Sequence, residues 1–252
     1  MKDIYKLPLL FQLRKCLLYI KATIKATKVF PRQKVFQASL SDFMKWWKTI
    51  KRNPKLLEFD MPWINFSAKS VLDHILNNEM TIYELGSGSS TVYFSKRVKT
   101  VYSTEHDKDW FLFISDYLQK NNFENVTYQL FEAEDNIGKV QTRDADNADH
   151  YTSSDKKFQN KNFKNYSTNI DQFADGFFDL ILVDGRNRNS CIKHALTKLK
   201  TGGYLLLDNA ERKHYTKGFP ELDNNSKWMK KVYIGPVPYC FFYSQTNFYK
   251  KL

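Results

Sequence analysis

One short segment, residues 81–91, constrains the fold of this chain more than any other stretch. It reads Thr-Ile-Tyr-Glu-Leu-Gly-Ser-Gly-Ser-Ser-Thr. The apolar run up to Leu85 predicts the end of a buried strand. Gly86 and Gly88 predict a chain reversal that side chains would obstruct, and residues 89–91 are candidate N-caps of the next helix. A turn of this kind presents backbone N–H groups and the positive end of a helix dipole to a ligand.

A second acidic residue extends this pattern. Glu105 ends the next apolar run, nineteen residues after Gly86. In nucleotide-binding β-α-β units, an acidic residue about 20 positions beyond the glycine turn binds the ribose diol. Thr91 stands where a dinucleotide site has its third glycine, and the spacings of a P-loop and of a nucleophile elbow are absent. The pattern that remains is an acidic residue, Glu84, two residues before a Gly-x-Gly turn, with a second acidic residue, Glu105, at the end of the next apolar run.

Strands and helices alternate along the rest of the chain. We predict strands at 82–85, 100–104, 125–131, 177–183 and 204–207, and helices at 90–97, 108–120 and 189–200. Alternation with these lengths indicates an α/β fold, in which a parallel sheet carries helices on both faces. Three further helices are expected before this region: within residues 1–30, within 38–58, and after the candidate N-cap Ser67, with Val71, Leu72, Ile75 and Leu76 as its buried face.

Four segments together resemble one protein family. They read Glu-x-Gly-Ser-Gly-x-Ser-Thr at 84–91, Glu-His-Asp at 105–107, Val-Asp-Gly-Arg-x-Arg-x-x-Cys at 183–191 and Leu-Asp-Asn at 207–209. In this order they are similar to class I S-adenosylmethionine-dependent methyltransferases of a bacterial small-molecule or glycan O-methyltransferase-like branch. The resemblance implies a Rossmann-like, doubly wound, mostly parallel sheet with an antiparallel C-terminal strand pair within 231–250. It makes 61–252 the methyltransferase domain and 1–60 an N-terminal helical extension.

The resemblance also implies S-adenosylmethionine as cofactor. In that family the glycine turn approaches the amino-acid half of the cofactor, the second acid binds the ribose hydroxyls, and the loop after the third strand contacts the adenine. Within that loop we assign the adenine contact to Glu134, with Glu132 and Asp135 as open alternatives. His106 either orients the ribose or adenine or lies on the surface. The candidate cofactor-binding residues are Glu84, Gly86, Ser87, Gly88, Ser90, Thr91, Glu105, His106, Glu134 and Asp184.

Candidates for the chemistry follow the fourth and fifth strands. Asp184, Asp208 and Asn209 resemble the oxygen ligands of the cation-dependent O-methyltransferases, and such a set suits Mg²⁺. That family has a lysine shortly after the first aspartate, whereas Asn187 and Arg188 stand here, which counts against a metal. Without a metal a side chain must accept the acceptor's proton. The candidate catalytic residues are Asp184, Asp208 and His214.

The acceptor is expected to be a hydroxyl of a small molecule or glycan, by analogy with the resembled branch. A net charge of +12 favours an anionic partner, so methylation of nucleic acid is an alternative. However, the Asn-Pro-Pro-Tyr type of loop used for base methylation is missing after the fourth strand. A further alternative is a non-catalytic S-adenosylmethionine-binding module, which the intact set of glycines and acids disfavours.

The N-terminal helix has a repeating apolar face. Leu10, Leu13, Leu17, Ile20 and Ile24 recur at helical spacing among arginines and lysines. A basic amphipathic helix can lie on an anionic membrane surface, here through residues 9–29, or it can dock on its own domain or on a second subunit in a homodimer.

Two further features bear on location and access. Residues 136–169 form a polar insertion, expected to be disordered or to act as a mobile lid. The three cysteines lack a Cys-x-x-Cys spacing, and neither a secretory signal nor the ~20 apolar residues of a membrane span is recognisable. These features predict a cytoplasmic protein, with peripheral contact at the inner membrane face as an option.

Overall fold

The computed structural model describes residues 9–51, 61–135, 144–158, 160–223 and 226–252. In these ranges the helices are α1 (Leu9–Ala26), α2 (Arg32–Lys51), α3 (Phe66–Ile75), α4 (Ser89–Ser95), α5 (Lys108–Lys120), α6 (Lys164–Thr168) and α7 (Arg188–Lys198). The strands are β1 (Thr81–Leu85), β2 (Thr100–Glu105), β3 (Val126–Leu130), β4 (Glu134–Asp135), β5 (Lys161–Asn162), β6 (Phe178–Val183), β7 (Leu199–Leu207), β8 (Trp228–Pro236) and β9 (Tyr243–Lys251).

The main sheet has seven strands in the order β3-β2-β1-β6-β7-β9-β8. The pairings from β3 to β7 are parallel, and β9 pairs antiparallel with both β7 and β8. This confirms the predicted α/β sheet with its antiparallel C-terminal pair. The chain moves outward from β1 to β3 and then returns to the other side of β1, so the strand order reverses between β1 and β6. In open α/β sheets, ligands bind at the carboxyl ends of the strands at such a reversal.

The central strands are buried on both faces, which explains their nearly continuous apolar sequence. Leu85, Ile181 and Val183 belong to one core cluster, on the side of α7. Ile82 and Leu180 belong to the other, on the side of α3 and α4. Helices pack on both faces of β1 and β6. The polar residues that follow these strands are therefore held at a rigid edge of the sheet.

Helix boundaries differ from the sequence-based expectation in several places. Helix α2 begins at Arg32 rather than residue 38, and residues 52–58 of the expected helix lie outside the described residues. Helix α3 has Asn65 rather than Ser67 as its N-cap, and α7 spans Arg188–Lys198 rather than 189–200. Helix α4 begins at Ser89, so the candidate N-cap residues are its first turn and Gly88 occupies the N-cap position.

The N-terminal helices pack on the antiparallel strand pair. From α1, Tyr19, Ala22 and Ala26 are buried, and Thr23 Oγ1 lies 2.9 Å from the Tyr243 hydroxyl of β9. From α2, Trp46 is fully buried and its Nε1 donates to the carbonyl of Cys240 at 2.7 Å. Helix α1 therefore docks through a face other than its predicted apolar stripe. Within the described ranges, no helix is long and apolar enough to cross a bilayer.

Much of the polar insertion packs on the domain. Phe163 and Tyr166 of the segment around α6 are buried in the core cluster beside α7. Asn189 Nδ2 of α7 donates to the carbonyl of Ala145 at 2.6 Å. Residues 136–143 and 159 lie outside the described residues, so the mobile lid stays a prediction.

Candidate functional site

Two glycines face each other where the strand order reverses. Gly86 follows β1, and Gly185 follows β6. The backbone N–H groups of Asp184 and Gly185 donate to the carbonyl of Leu85 at 2.9 and 2.7 Å, which holds the two turns together. A Cβ on Gly86 would lie 2.5 Å from Gly185 Cα, and a Cβ on Gly185 would lie 2.0 Å from the Tyr166 hydroxyl. Gly86 also has φ +99°, a conformation that side chains disfavour. Both positions therefore require glycine.

Gly88 differs from this pair. A Cβ there would make only an ordinary contact, 3.8 Å from the Trp110 ring. The expectation that a side chain at Gly88 would be obstructed is therefore wrong, and Gly88 does not line the neighbouring cleft.

Glu84 fixes the glycine turn from behind. Its Oε2 accepts hydrogen bonds from Thr91 Oγ1 at 2.6 Å and from Ser103 Oγ at 2.7 Å. Thr91 Oγ1 in turn accepts the Gly88 N–H at 3.0 Å. Among the described atoms, Glu84 Oε1 is buried without a partner. Burial raises the pKa of Glu84 to about 7, although the hydroxyls of Ser90, Thr91 and Ser103 oppose the shift. Glu84, Ser90 and Thr91 therefore organise the turn, and they do not line the cleft in front of it.

Glu105 closes the other side of the turn. Its Oε1 accepts the N–H groups of His106 and Asp107 at 2.7 and 2.9 Å. Its Oε2 accepts the N–H and hydroxyl of Ser87 at 3.1 and 2.7 Å. His106 Nδ1 lies 2.7 Å from Oε1, an ion-pair distance without hydrogen-bond geometry. Burial by itself raises the pKa of Glu105, but His106 and these donors lower it below its ordinary value. Glu105 is therefore a fixed carboxylate.

A cleft of about 680 Å³ opens between these turns. Of the residues selected from the sequence, it is lined by Gly86, Ser87, Glu105, His106, Asp184 and Asn209. Of the remaining lining residues, Asp107, Gly185, Arg186 and Arg188 lie in the motifs recognised in the sequence, and sequence reasoning missed Asp109, Trp110, Lys157, Phe158 and Arg212. Trp110 Nε1 donates to the Ser87 carbonyl at 3.0 Å. Trp110 could have been recognised from its position in the first turn of α5, the helix that follows the Glu105–Asp107 motif.

The insertion contributes an aromatic wall to this cleft. The rings of Phe158 and His106 are 5.5 Å apart in an edge-to-face arrangement, and the Arg186 guanidinium lies 5.3 Å from the Phe158 ring. Glu134 is not part of the wall. It is exposed on β4, where Asn165 Nδ2 donates to it. The structure therefore places the predicted adenine-contacting acid outside the cleft.

Arg188 ties together the ends of β6 and β7. Its Nη2 lies 3.0 Å from Asp184 Oδ1, and its Nη1 donates to the backbone carbonyl of Asp208. Asp208 Oδ1 accepts the Thr246 hydroxyl at 2.6 Å. Burial raises the pKa of both aspartates, and the Arg188 charge opposes this. The structure does not support the alternative of a Mg²⁺ site, because the Arg188 guanidinium already bridges the Asp184 carboxylate and the backbone carbonyl of Asp208, the residue after β7.

His214 lies outside the cleft, in an adjoining cavity of about 310 Å³. The two spaces share Gly185, Arg186, Arg188 and Arg212. Within the described part of the chain, His214 Nε2 is buried and has no hydrogen-bond partner. Burial, helped by Arg212 and Arg188 and opposed by Asp146, lowers the pKa of His214 below its ordinary value. His214 is therefore a neutral imidazole near neutral pH, with a free nitrogen.

No protein-family model and no curated protein matches the chain, but solved structures do. A candidate O-methyltransferase from Klebsiella pneumoniae is similar with a TM-score of 0.55 and 15% identity, over 85% of this chain and 97% of that one. A candidate methyltransferase from Streptococcus mutans in complex with S-adenosylhomocysteine gives 0.50 and 15%, over 74% and 96%. A candidate rRNA methylase from Clostridium thermocellum gives 0.50 and 10%, over 75% and 98%. The chain has the fold of the class I S-adenosylmethionine-dependent methyltransferases, as its motifs predicted.

Proposed function

We propose that this protein is an S-adenosylmethionine-dependent methyltransferase that acts on a hydroxyl of a small molecule or glycan. The observation that carries the proposal is the pair of facing glycine turns, Gly86 and Gly185, beside the fixed carboxylate of Glu105. They open on a cleft of about 680 Å³, within the size range of ligand sites.

The residues of this cleft fit the cofactor. The bare backbone at Gly86 and Gly185 allows close approach of a ligand, and Glu105 is an acceptor for ribose hydroxyls. His106, Phe158 and Trp110 are the ring systems available to an adenine. When bound, S-adenosylmethionine supplies a methyl group on a positively charged sulfur, which is already activated for transfer.

The adjoining cavity is the proposed acceptor site. It is lined by three arginines and one aspartate, Asp155, and by small polar side chains from the insertion. We assign His214 as the residue that takes the hydroxyl proton, since it lines this cavity and its lowered pKa keeps the imidazole neutral, as a general base requires. Arg188 lines both spaces, and its ion pair with Asp184 of the cleft fixes its position between them. No metal is needed for this assignment.

The test is a methyl-transfer assay with labelled S-adenosylmethionine and fractionated bacterial extract as acceptor source. Label in a small-molecule or polysaccharide fraction that survives nuclease treatment supports the proposal. Label that disappears with nuclease shows the nucleic-acid alternative, and the positive charge together with the rRNA-methylase-like fold is the reason to include it.

The same assay separates activity from mere binding. A calorimetric titration with S-adenosylhomocysteine should accompany it on the same preparation. Binding of S-adenosylhomocysteine without transfer to any fraction would show a non-catalytic binding module. Absence of binding would overturn the cofactor assignment itself.

A further inference from the structure

A row of apolar side chains on α1 remains exposed after the helix has docked. Leu13, Leu17, Ile20 and Ile24 are 51%, 59%, 52% and 56% exposed. They follow each other at spacings of three and four residues and so share one face. Single exposed apolar residues are ordinary, but a row on one helix face marks an interaction surface.

The next helix repeats the feature. On α2, Phe36, Leu40 and Met44 are 52%, 84% and 59% exposed, again at four-residue spacing. Both helices already bury another face on β8 and β9. The exposed apolar rows of α1 and α2 are therefore not used in packing these helices against the rest of the fold.

The charge of this region is of one sign. Between Asp3 and Asp42 the sequence contains eight lysines and arginines and no acidic residue. Lys21, Lys25 and Lys28 are exposed beside the apolar row of α1. Asp42 itself is buried, and its Oδ1 lies 2.8 Å from Lys45 Nζ. Among the described residues up to Asp42, no exposed side chain is acidic, and a surface of apolar and cationic side chains is complementary to anionic lipid headgroups over acyl chains.

We propose that the exposed face of α1, with its flanking lysines, binds the surface of an anionic membrane. A bilayer fits this face better than a second copy of the chain does. A twofold interface brings the same patch of each subunit together, so lysines would oppose lysines with no acid to compensate them. In this proposal α1 lies flat in the interface between membrane and water, and its binding there does not depend on the proposed activity.

The face continues towards the acceptor side of the molecule. Val29, Phe30 and Pro31, in the turn after α1, line a cavity of about 660 Å³ that His214 also lines, together with three acidic residues and three lysines. If the proposed function holds, a membrane-bound enzyme has this cavity next to the lipid surface.

The test is flotation of the full chain with phosphatidylcholine vesicles, with and without phosphatidylglycerol. We expect binding only when phosphatidylglycerol is present, and weaker binding at high salt. Leu17→Asp/Ile20→Asp and Lys21→Gln/Lys25→Gln should each weaken it by about tenfold or more. Leu112→Asp is the matched control, because Leu112 is 55% exposed on α5, and it should bind as the wild type does.

Three outcomes would overturn the proposal. The first is a wild-type protein that ignores phosphatidylglycerol vesicles. The second is a Lys21→Gln/Lys25→Gln variant that binds them as well as wild type; this variant changes only exposed side chains and so tests the proposal even if the aspartate variant misfolds. The third is a wild-type dimer, seen by light scattering, that Leu17→Asp/Ile20→Asp converts to monomer without any vesicle binding, since a second copy would then cover the face.

Discussion

The cofactor half and the acceptor half of the proposed site are built differently. Most of the polar groups of the cofactor half come from one local segment, residues 84–105, in which Thr91 Oγ1 joins Glu84 to the Gly88 N–H and the Ser87 hydroxyl donates to Glu105. The acceptor half is assembled from three separate segments around Ser153, Arg186 and Arg212–His214. A local, pre-organised half suits a ligand that is always the same. A half that is assembled from separate segments suits the ligand that sets specificity.

The largest effect is expected at His214. If it is the general base, His214→Ala should lower kcat by about 10²–10⁴-fold and leave the affinity for S-adenosylhomocysteine unchanged. Because the pKa of His214 is lowered, wild-type activity should persist below pH 6.5 and fall only as the imidazole protonates at still lower pH. Steady-state kinetics across pH, with exposed His74→Ala as control, measures both.

If His214→Ala also weakened the binding of S-adenosylhomocysteine, the cofactor half and the acceptor half of the site would not be independent of each other. A chelator should have no effect on the wild-type enzyme, and chelator-sensitive turnover would show that a metal, not His214, activates the hydroxyl.

Glu84 should make the cofactor half sensitive to pH. Its pKa is raised from 4.5 to about 7 in the folded protein, so the folded state binds this proton more tightly than the unfolded state. The stability from this group is fully present below pH 4.5 and is lost as pH rises towards 7, by about 3 kcal/mol. Glu84→Gln mimics the protonated carboxyl and should remove this part of the pH dependence. Urea unfolding at pH 5 and pH 8 compares the two proteins, and identical pH dependence would contradict the account.

The two glycines of the turn provide a matched pair. Gly86→Ala combines a backbone clash with a left-handed φ and should destabilise the fold by about 2–3 kcal/mol. Gly88→Ala meets only the Trp110 ring at an ordinary distance and should cost less than ~1 kcal/mol. Equal losses in thermal or urea unfolding would show that the turn is not held by the facing glycines.

The smallest effect is expected at Ser87, and its sign is informative. The four acceptor positions of Glu105 are taken by the N–H groups of His106, Asp107 and Ser87 and by the Ser87 hydroxyl. A ribose hydroxyl must displace one donor, and the Ser87 hydroxyl is the one that can rotate away. Ser87→Ala should therefore bind S-adenosylhomocysteine equally well or tighter, by up to ~1 kcal/mol. Clearly weaker binding in calorimetry would mean that Ser87 contacts the cofactor directly.

The same contrast explains what the sequence could predict. Strand-turn-helix periodicity and the spacing from Gly86 to Glu105 are local, so the sheet and the cofactor half were recognisable. Phe158 and the Arg212–His214 segment reach the site only through the path of the insertion and of the β7–β8 connection, which no local pattern encodes. The exposed face of α1 was recognised as amphipathic, but the face that docks is made of small and hydroxyl residues whose contacts are with β9, far along the chain.

Isothermal titration of S-adenosylhomocysteine into wild type and Glu105→Gln tests the central claim most directly, with exposed Glu124→Gln as the control. The wild type and the control should bind alike. Glu105→Gln should bind more weakly by about 1.5–3 kcal/mol, the loss expected for a charged hydrogen bond, while its circular dichroism stays that of the wild type. Equal affinity in all three proteins, or no binding by the wild type, would contradict the assignment of Gly86, Gly185 and Glu105 as the cofactor site.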